Sequence, residues 1–337
     1  MKKVITFGEI LLRLSPPGHS KIIKTPLFEV NYGGSEANVA ASLSQYGIST
    51  SFVTKLPEHD LGDAAINKLK EYGVNASHIS RGGNRIGIYF LENGYSVRPS
   101  KVVYDRKGSS IAEATINDFD VDVIFKDQDL FHLSGITLGI SEESFQLAKT
   151  FIKAAKERGL KVSFDFNYRS KLWPLVQAKE KFEQILKYVD IVFAGHLDFT
   201  NILEMKPEKS LEETDIIHYY EDLYSKIYEK YPFEYIVSSI RDVKSASRNH
   251  YQGIIYDGKE IYQSREYAID IIDRVGTGDA YTAGFLYGYL SNKENSYKVE
   301  FAAAAAALKH TIPGDMMIST VEEVENLFNS ASFHVQR

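Results

Sequence analysis

Short apolar segments alternate with longer amphipathic stretches along most of the chain. Apolar runs at 4–8 and 51–56 predict strands, while the stretches 36–46 and 60–72 carry apolar residues at helical spacing. Strands and helices that alternate in this way form βα units, in which helices cover both faces of a mainly parallel sheet. The same alternation resumes after residue 110. The pattern therefore predicts an α/β fold and, because no linker or repeat interrupts it, one domain over residues 1–337.

Two stretches depart from this pattern and predict a second, smaller sheet. Residues 11–32 and 85–106 alternate polar and apolar side chains, and the second stretch contains Asn93-Gly94, a pair typical of a hairpin turn. A small sheet cannot bury both of its faces alone, so we expect one face to cover a ligand and the other to pair with a second subunit. Tyr89, Tyr104 and Arg106 would project from this lid, either as packing residues or as contacts to a carboxylate or phosphate.

The stretch 270–290 predicts a strand, a glycine-rich turn and a helix that starts at the turn. Gly276, Thr277 and Gly278 would bring free backbone N–H groups and the positive end of the helix dipole to one place, which suits a bound anion. Asp279 would repel that anion unless it accepts a proton from a hydroxyl that attacks a phosphoryl group. It could equally be an ordinary first-turn residue, since Asp is favoured there. The turn alone leaves both interpretations open.

A glycine pair, Gly33-Gly34, precedes the helix predicted over 36–46. Ser35 belongs to the residue types that cap a helix N-terminus. Paired glycines let a polar ligand approach the backbone, and Asn38, one turn into the helix, would hydrogen-bond that ligand. The alternative is a common glycine-to-helix transition that binds nothing.

Three polar residues follow an apolar strand in the middle of the chain. Asp165, Asn167 and Arg169 alternate at its carboxyl end, which is where open parallel sheets bind ligands. A structural ion pair would explain any one of them alone. Three polar residues on one face of the strand favour a ligand-binding site.

Composition excludes several classes of protein. The chain has 337 residues, 44% of them hydrophobic, so we expect a large core. It has no cysteine, which excludes disulfides and thiolate metal sites, and its formal net charge is −6. Lysines and arginines are scattered, which argues against nucleic-acid binding. Charged residues interrupt the apolar N-terminus, which we interpret as a first strand rather than a signal peptide, and no stretch is apolar enough to cross a membrane. We expect a cytoplasmic enzyme.

The two glycine elements, in this order around a lid and βα units, resemble the ribokinase (PfkB) family of carbohydrate kinases over nearly the whole chain. Its two signatures are similar to residues 33–38 and 273–279. Within the family the chain most resembles the kinases of 2-keto-3-deoxygluconate (2-dehydro-3-deoxygluconate). The resemblance implies a ribokinase-like fold and ATP-dependent phosphorylation of this sugar acid to its 6-phosphate, with Mg²⁺. Separately, the exposed edges and outer face of the lid predict a homo-oligomer formed through the lid.

The resemblance assigns roles to individual residues. Asp279 would be the general base, and the N–H groups of Gly276, Thr277 and Gly278 would form an anion hole for the transferred phosphoryl group. The implied ligands of the sugar acid are Gly34, Asn38, Tyr89, Tyr104, Arg106 and Arg169. Those of the nucleotide and its phosphates are Asp165, Asn167, Ser239, Gly276 and Gly278.

Two positions depart from the family pattern. Where the family often has a Glu that organises magnesium, this chain has Asp198, which would take that role with a shorter side chain. The usual glycine-rich nucleotide loop is replaced by residues 241–247. Two other functions stay open: a kinase of a neutral sugar such as fructose or ribose, and a sugar-binding regulator without activity. Arg106 and Arg169 favour a sugar acid, because a neutral sugar gives no reason to bury two guanidinium groups.

Overall fold

Two β-sheets organise the chain in a computed structural model that describes residues 2–329. The strands, in chain order, are β1 (Lys3–Phe7), β2 (Leu11–Ser15), β3 (Glu29–Gly33), β4 (Ser49–Leu56), β5 (Ile79–Arg81), β6 (Ile88–Glu92), β7 (Lys101–Asp105), β8 (Leu130–Ser134), β9 (Lys161–Asp165), β10 (Ile191–Phe193), β11 (Tyr235–Ser245), β12 (Arg248–Tyr256), β13 (Ile261–Gln263) and β14 (Tyr267–Asp270).

The α-helices are α1 (Ser35–Gln45), α2 (Asp60–Glu71), α3 (Val121–Phe125), α4 (Gly135–Ile140), α5 (Glu142–Glu157), α6 (Leu175–Ile185), α7 (His196–Asn201), α8 (Ile216–Lys230), α9 (Thr277–Leu290), α10 (Asn295–Lys309) and α11 (Val321–Asn329). Short 3-10 helices cover Ile22–Lys24, Ile116–Asp118 and Leu186–Tyr188. No helix within residues 2–329 combines the length and apolar character needed to span a bilayer.

The large sheet has the strand order β13–β12–β11–β10–β9–β8–β1–β4–β5, with β14 beside β12. Neighbours from β11 to β5 run parallel, whereas β12 pairs antiparallel with β11, β13 and β14. The smaller sheet has the order β3–β2–β6–β7. The predicted α/β fold with a mainly parallel sheet and a separate small sheet is confirmed; we call the small sheet, β3–β2–β6–β7, the lid.

Helices on both faces of the large sheet close the core. Phe151 of α5 and Phe182 of α6 pack on one face with β8 and β9, and α1, α9 and α10 pack on the other. The alanines of α10 are buried against α9, where a Cβ on Gly284 would lie only 2.8 Å from the Cα of Ala302. Small residues at this contact let the two helices approach closely, which fixes the position of α9 and of the turn at its N-terminus.

Three local expectations were wrong. The first helix begins at Ser35 itself, with Gly34 in the cap position, because the Ser35 side chain is used elsewhere. Strands β6 and β7 form the expected antiparallel pair, but residues 93–100 join them as a longer loop instead of a two-residue turn. The apolar run EYIVSSI predicts a strand that ends before Arg241, but strand β11 continues through Arg241 to Ser245, because its outer half pairs with β12.

Candidate active site

A cavity of about 680 Å³ opens at the carboxyl ends of the parallel strands, beneath the lid. Parallel strands bring the residues that follow them to one edge of the sheet, and the turn before α9 reaches the same place. The cavity is lined by every site residue that the sequence predicts: Gly34, Asn38, Tyr89, Tyr104, Arg106, Asp165, Asn167, Arg169, Asp198, Ser239, Gly276, Thr277, Gly278 and Asp279.

Asp279 lies in the first turn of α9 and is held by two hydrogen bonds from α1. Ser35 Oγ donates to Oδ1 at 2.8 Å and Asn38 Nδ2 donates to Oδ2 at 2.7 Å. Asn167 Nδ2 in turn donates to Ser35 Oγ at 2.8 Å. Burial raises the pKa of the Asp279 carboxyl, while these bonds and the charge of Arg169 oppose the shift. The result is a fixed carboxylate that binds a proton more readily than an exposed one.

The turn before Asp279 is packed too tightly for any residue but glycine at its first position. Gly276 has a φ of 77°, and a Cβ there would lie 1.9 Å from the carbonyl oxygen of Asp315. The side chain of Thr277 donates to the carbonyl of Arg274 at 3.1 Å, which ties the turn to the residues before it. Since the first N–H groups of a helix have no partner within the helix, this end of α9 attracts an anion beside the carboxylate.

Three further polar residues of the cavity, Asn167, Asp165 and Asp198, follow or end the neighbouring strands. Asn167 follows β9 in the left-handed region with a φ of 39°, and its backbone N–H donates to Asp165 Oδ1 at 2.9 Å. Burial and the charge of Asp279 raise the pKa of Asp165 to about 8, against an opposing effect of Arg169. Asp198 accepts from the N–H of Gly195 at 2.8 Å, and burial raises its pKa as well. These carboxylates lie close enough to repel one another.

The lid supplies two tyrosines, and Arg106 follows its last strand, β7. Tyr89 is buried and its hydroxyl donates to Asp315. The Arg106 guanidinium pairs with Glu9 and also lies 5.7 Å from the ring centroid of Tyr104. Arg106 Nε is buried and without a hydrogen bond, so one of its donors is still unused.

Arg169 differs from Arg106 because it forms no ion pair with any carboxylate in the described part of the chain. It is exposed, and its Nη1 donates only to the backbone carbonyl of Tyr168, at 3.1 Å. Its charge nevertheless opposes the rise in the pKa values of Asp165, Asp198 and Asp279, so the guanidinium lies near all three carboxyl groups. It is a cation at the cavity that is available to an anionic ligand.

A buried ion cluster behind the turn was not foreseen. Arg13, on lid strand β2, is only 2% exposed and donates to Asp273 at 2.7 Å and to Asp315 at 2.9 Å. Tyr89 of β6 contacts the same Asp315. The lid is therefore bonded to both sides of the glycine turn. The one signal in the sequence was an arginine inside the apolar run LLRLS, which the alternating pattern placed on an edge strand.

Sequence reasoning also missed how Ser35 and Glu9 are used. Ser35 was assigned to a helix cap because its type and position fit one, but it binds Asp279 across 244 positions of sequence. Glu9 is buried where β1 leads into the lid, and it binds Arg106 and, at 2.6 Å, the hydroxyl of Ser109. A carboxylate directly after a buried strand was the only hint of its role.

A carboxylate beside backbone N–H groups that attract an anion suits transfer of a phosphoryl group to a hydroxyl, the reaction of a phosphotransferase. Comparison with known proteins agrees with this class. The model of the pfkB family of carbohydrate kinases matches residues 1–320, and the chain belongs to that family. It has the ribokinase-like fold and is a carbohydrate kinase.

Several similar proteins carry names of sugar-acid kinases. A 2-dehydro-3-deoxygalactonokinase of Haloferax volcanii is 30% identical and aligns over 99% of both chains. A 2-dehydro-3-deoxygluconokinase of Thermoproteus tenax is 26% identical over 94% of this chain and 90% of its own. The crystal structure of a 2-dehydro-3-deoxygluconokinase from Thermotoga maritima superposes with a TM-score of 0.94 at 44% identity, covering 98% of each chain.

Proposed function

We propose that this chain transfers the γ-phosphate of ATP to the 6-hydroxyl of 2-keto-3-deoxygluconate. The observation that carries the proposal is Asp279, a buried carboxylate fixed through both oxygens at the N-terminus of α9. Proteins that are similar over nearly their whole length and are named for this sugar acid support the choice of substrate.

Asp279 would accept the proton of the attacking hydroxyl. Its raised pKa makes it a stronger base than an exposed carboxylate, and each oxygen keeps a lone pair beyond the one that Ser35 or Asn38 occupies. The N–H groups of Gly276, Thr277 and Gly278 would bind the charge that develops on the transferred phosphoryl group. Binding of that group and removal of the proton would thus take place within one helical turn.

Arg169 would bind the carboxylate of the sugar acid. It lines the cavity and forms no ion pair with a carboxylate of the described residues. Arg106, which also lines the cavity, would add positive charge while Glu9 holds it in place, and Tyr104 packs beside it. Gly34, whose added Cβ would meet the carbonyl oxygen of Glu9 at 1.8 Å, would let the sugar lie against the backbone.

Magnesium would bind near Asp165 and Asp198. In residues 2–329 no group of three or more acidic or histidine side chains is arranged around one point. Mg²⁺ needs fewer protein ligands than that, since it keeps several waters and binds one or two carboxylates together with substrate phosphates. The raised pKa values of Asp165 and Asp198 fit this role, because buried carboxylates are stabilised by a cation. When bound, the metal neutralises charge on the phosphates.

A panel of acceptors tests the substrate assignment. Its members are 2-keto-3-deoxygluconate, 2-keto-3-deoxygalactonate, gluconate, fructose and ribose; the galactonate compound is included because the 30% identical relative is named for it. A charge-assisted contact to the carboxylate predicts that kcat/KM for the sugar acid exceeds that for fructose or ribose by about 10- to 150-fold per contact. Equal efficiency with fructose or ribose would contradict the assignment and favour a neutral-sugar kinase.

We also propose that the outer faces of two lids pair. Apolar side chains are exposed on the lid and its connections, among them Val30 at 59%, Leu27 at 57% and Val97 at 96%. Val30→Asp on β3 should shift a dimer to monomer in sedimentation at micromolar concentration, because it buries a charge in the contact. Val123→Asp, 55% exposed on α3 before the amino end of β8, is the matched control and should change nothing. A wild-type protein that sediments as a monomer would contradict the pairing.

A further inference from the structure

Two arginines beside the glycine turn have no role in the site described so far. Arg274 directly precedes the turn, and Arg241 lies on β11 with its Nη2 3.5 Å from where a Cβ on Gly278 would be. Arg274 Nη2 donates to the carbonyl of Ala246 at 3.0 Å, and the Arg241 guanidinium lies 5.4 Å from the ring centroid of Tyr251. Both arginines line the cavity.

The carboxylates nearest to these arginines along the chain pair with other cations. Asp242 pairs with Lys244, Asp270 with Arg248 and Asp273 with Arg13. Within residues 2–329 neither Arg241 nor Arg274 forms an ion pair, and the site thus keeps two unneutralised guanidinium groups next to the positive end of α9.

The two charges also act on each other. Burial lowers the pKa of the Arg274 guanidinium, and the charge of Arg241 lowers it further. Like charges held near one another cost stability unless an anion lies between them or beside them. An arginine pair that forms no ion pair with any carboxylate of residues 2–329 is therefore arranged for an anion that the chain itself does not supply.

We propose that Arg241 and Arg274 bind phosphate oxygens of the nucleotide donor and continue the anion site of the α9 turn. This inference rests on the proposed kinase function and names two of its donor contacts. A polyphosphate fits better than the single carboxylate of a sugar acid, because two guanidinium groups and the helix N-terminus together match several negative charges. Residues 241–247 contain no glycine, so side-chain charge at Arg241 would act where a glycine-rich loop would use backbone N–H groups.

Nucleotide binding without any sugar tests the proposal independently of the acceptor. Calorimetric titration of wild type, Arg241→Gln and Arg274→Gln with ATP, ADP and AMP in the presence of Mg²⁺ should show ATP affinity lowered by about 10- to 150-fold per variant. The loss should be smaller for ADP and smallest for AMP. Arg274→Lys should recover only part of the loss, because the planar two-pronged contact goes while the charge stays. Arg248→Gln, an exposed arginine on β12 paired with Asp270, is the control and should bind like wild type.

Two results would overturn the proposal. Equal losses for ATP and AMP would mean that the arginines support the adenosine half of the site or the fold around it. Unchanged ATP affinity with a raised KM for the sugar acid would mean that the pair binds the acceptor carboxylate. Arg241 is exposed, so its variant keeps the test available if Arg274→Gln fails to fold. Failure to phosphorylate 2-keto-3-deoxygluconate would refute the substrate assignment and leave these binding results as they are.

Discussion

Gly276→Ala should disable the enzyme by moving the turn before Asp279. The added Cβ would lie 1.9 Å from the Asp315 carbonyl oxygen, whereas Cβ contacts essentially never fall below 3.0 Å, so the two backbones must separate by at least 1.1 Å. A misplacement of about 1 Å at a reacting group can lower the rate by about 100-fold. We therefore expect kcat to fall by about two orders of magnitude.

The effect of the backbone conformation can be separated from the effect of the close contact. Gly159, which follows α5, has the same φ of 77° as Gly276, but an added Cβ there would meet nothing within 4 Å. Gly159→Ala should therefore lower the free energy of unfolding only by the strain of a left-handed backbone, about 1–2 kcal/mol, and leave kcat unchanged. Gly276→Ala should lose more stability than this in urea unfolding, together with the drop in kcat. If Gly276→Ala kept kcat within twofold of Gly159→Ala, tight packing of the turn would not be what holds the anion hole.

Two further predictions concern charge. Arg169→Ala should raise the KM for the sugar acid by about 10- to 150-fold and change the KM for ATP much less. Arg169→Lys should recover part of the loss, because the charge stays. An unchanged KM for the sugar acid would show that Arg169 does not bind the carboxylate. The pKa of the Asp165 carboxyl is raised from 3.8 to about 8. Between these pH values the folded protein keeps a proton there that the unfolded chain releases. The contribution of this carboxyl to the free energy of unfolding is therefore largest below pH 3.8. It is lost as the pH rises to about 8, with a slope of up to about 1.4 kcal/mol per pH unit. In urea unfolding with EDTA present, the free energy of unfolding of Asp165→Asn should depend less on pH than that of wild type. The same slope in both proteins would show that Asp165 titrates normally.

The pattern of apolar and polar residues was enough to predict the large sheet, because each βα unit is encoded locally. It was also enough to place three polar residues of the site at one edge of that sheet, whereas most of the other site residues came from the family resemblance. Asp165, Asn167 and Arg169 follow a strand of a parallel sheet, and topology alone places the ends of such strands at one edge. The lid could be predicted for a similar reason, since alternation without intervening helices distinguishes it from the main sheet.

Partners that are distant in sequence could not be predicted. Arg13 binds Asp273 across 260 positions and Ser35 binds Asp279 across 244, and neither pairing leaves a periodic signal. For Ser35 a good local interpretation as a helix cap was overridden by a tertiary contact. The length of β11 was missed for the same reason, because the outer half of that strand depends on its pairing with β12.

The central claim is that Asp279 takes the proton of the attacking hydroxyl, and Asp279→Asn tests it most directly. The amide keeps the shape of the side chain but is not a base at neutral pH. Turnover of 2-keto-3-deoxygluconate should fall by about two to four orders of magnitude, while the dissociation constants of ATP and the sugar acid, measured separately, change by a few-fold at most. Turnover within a few-fold of wild type, with both ligands still bound, would contradict the account.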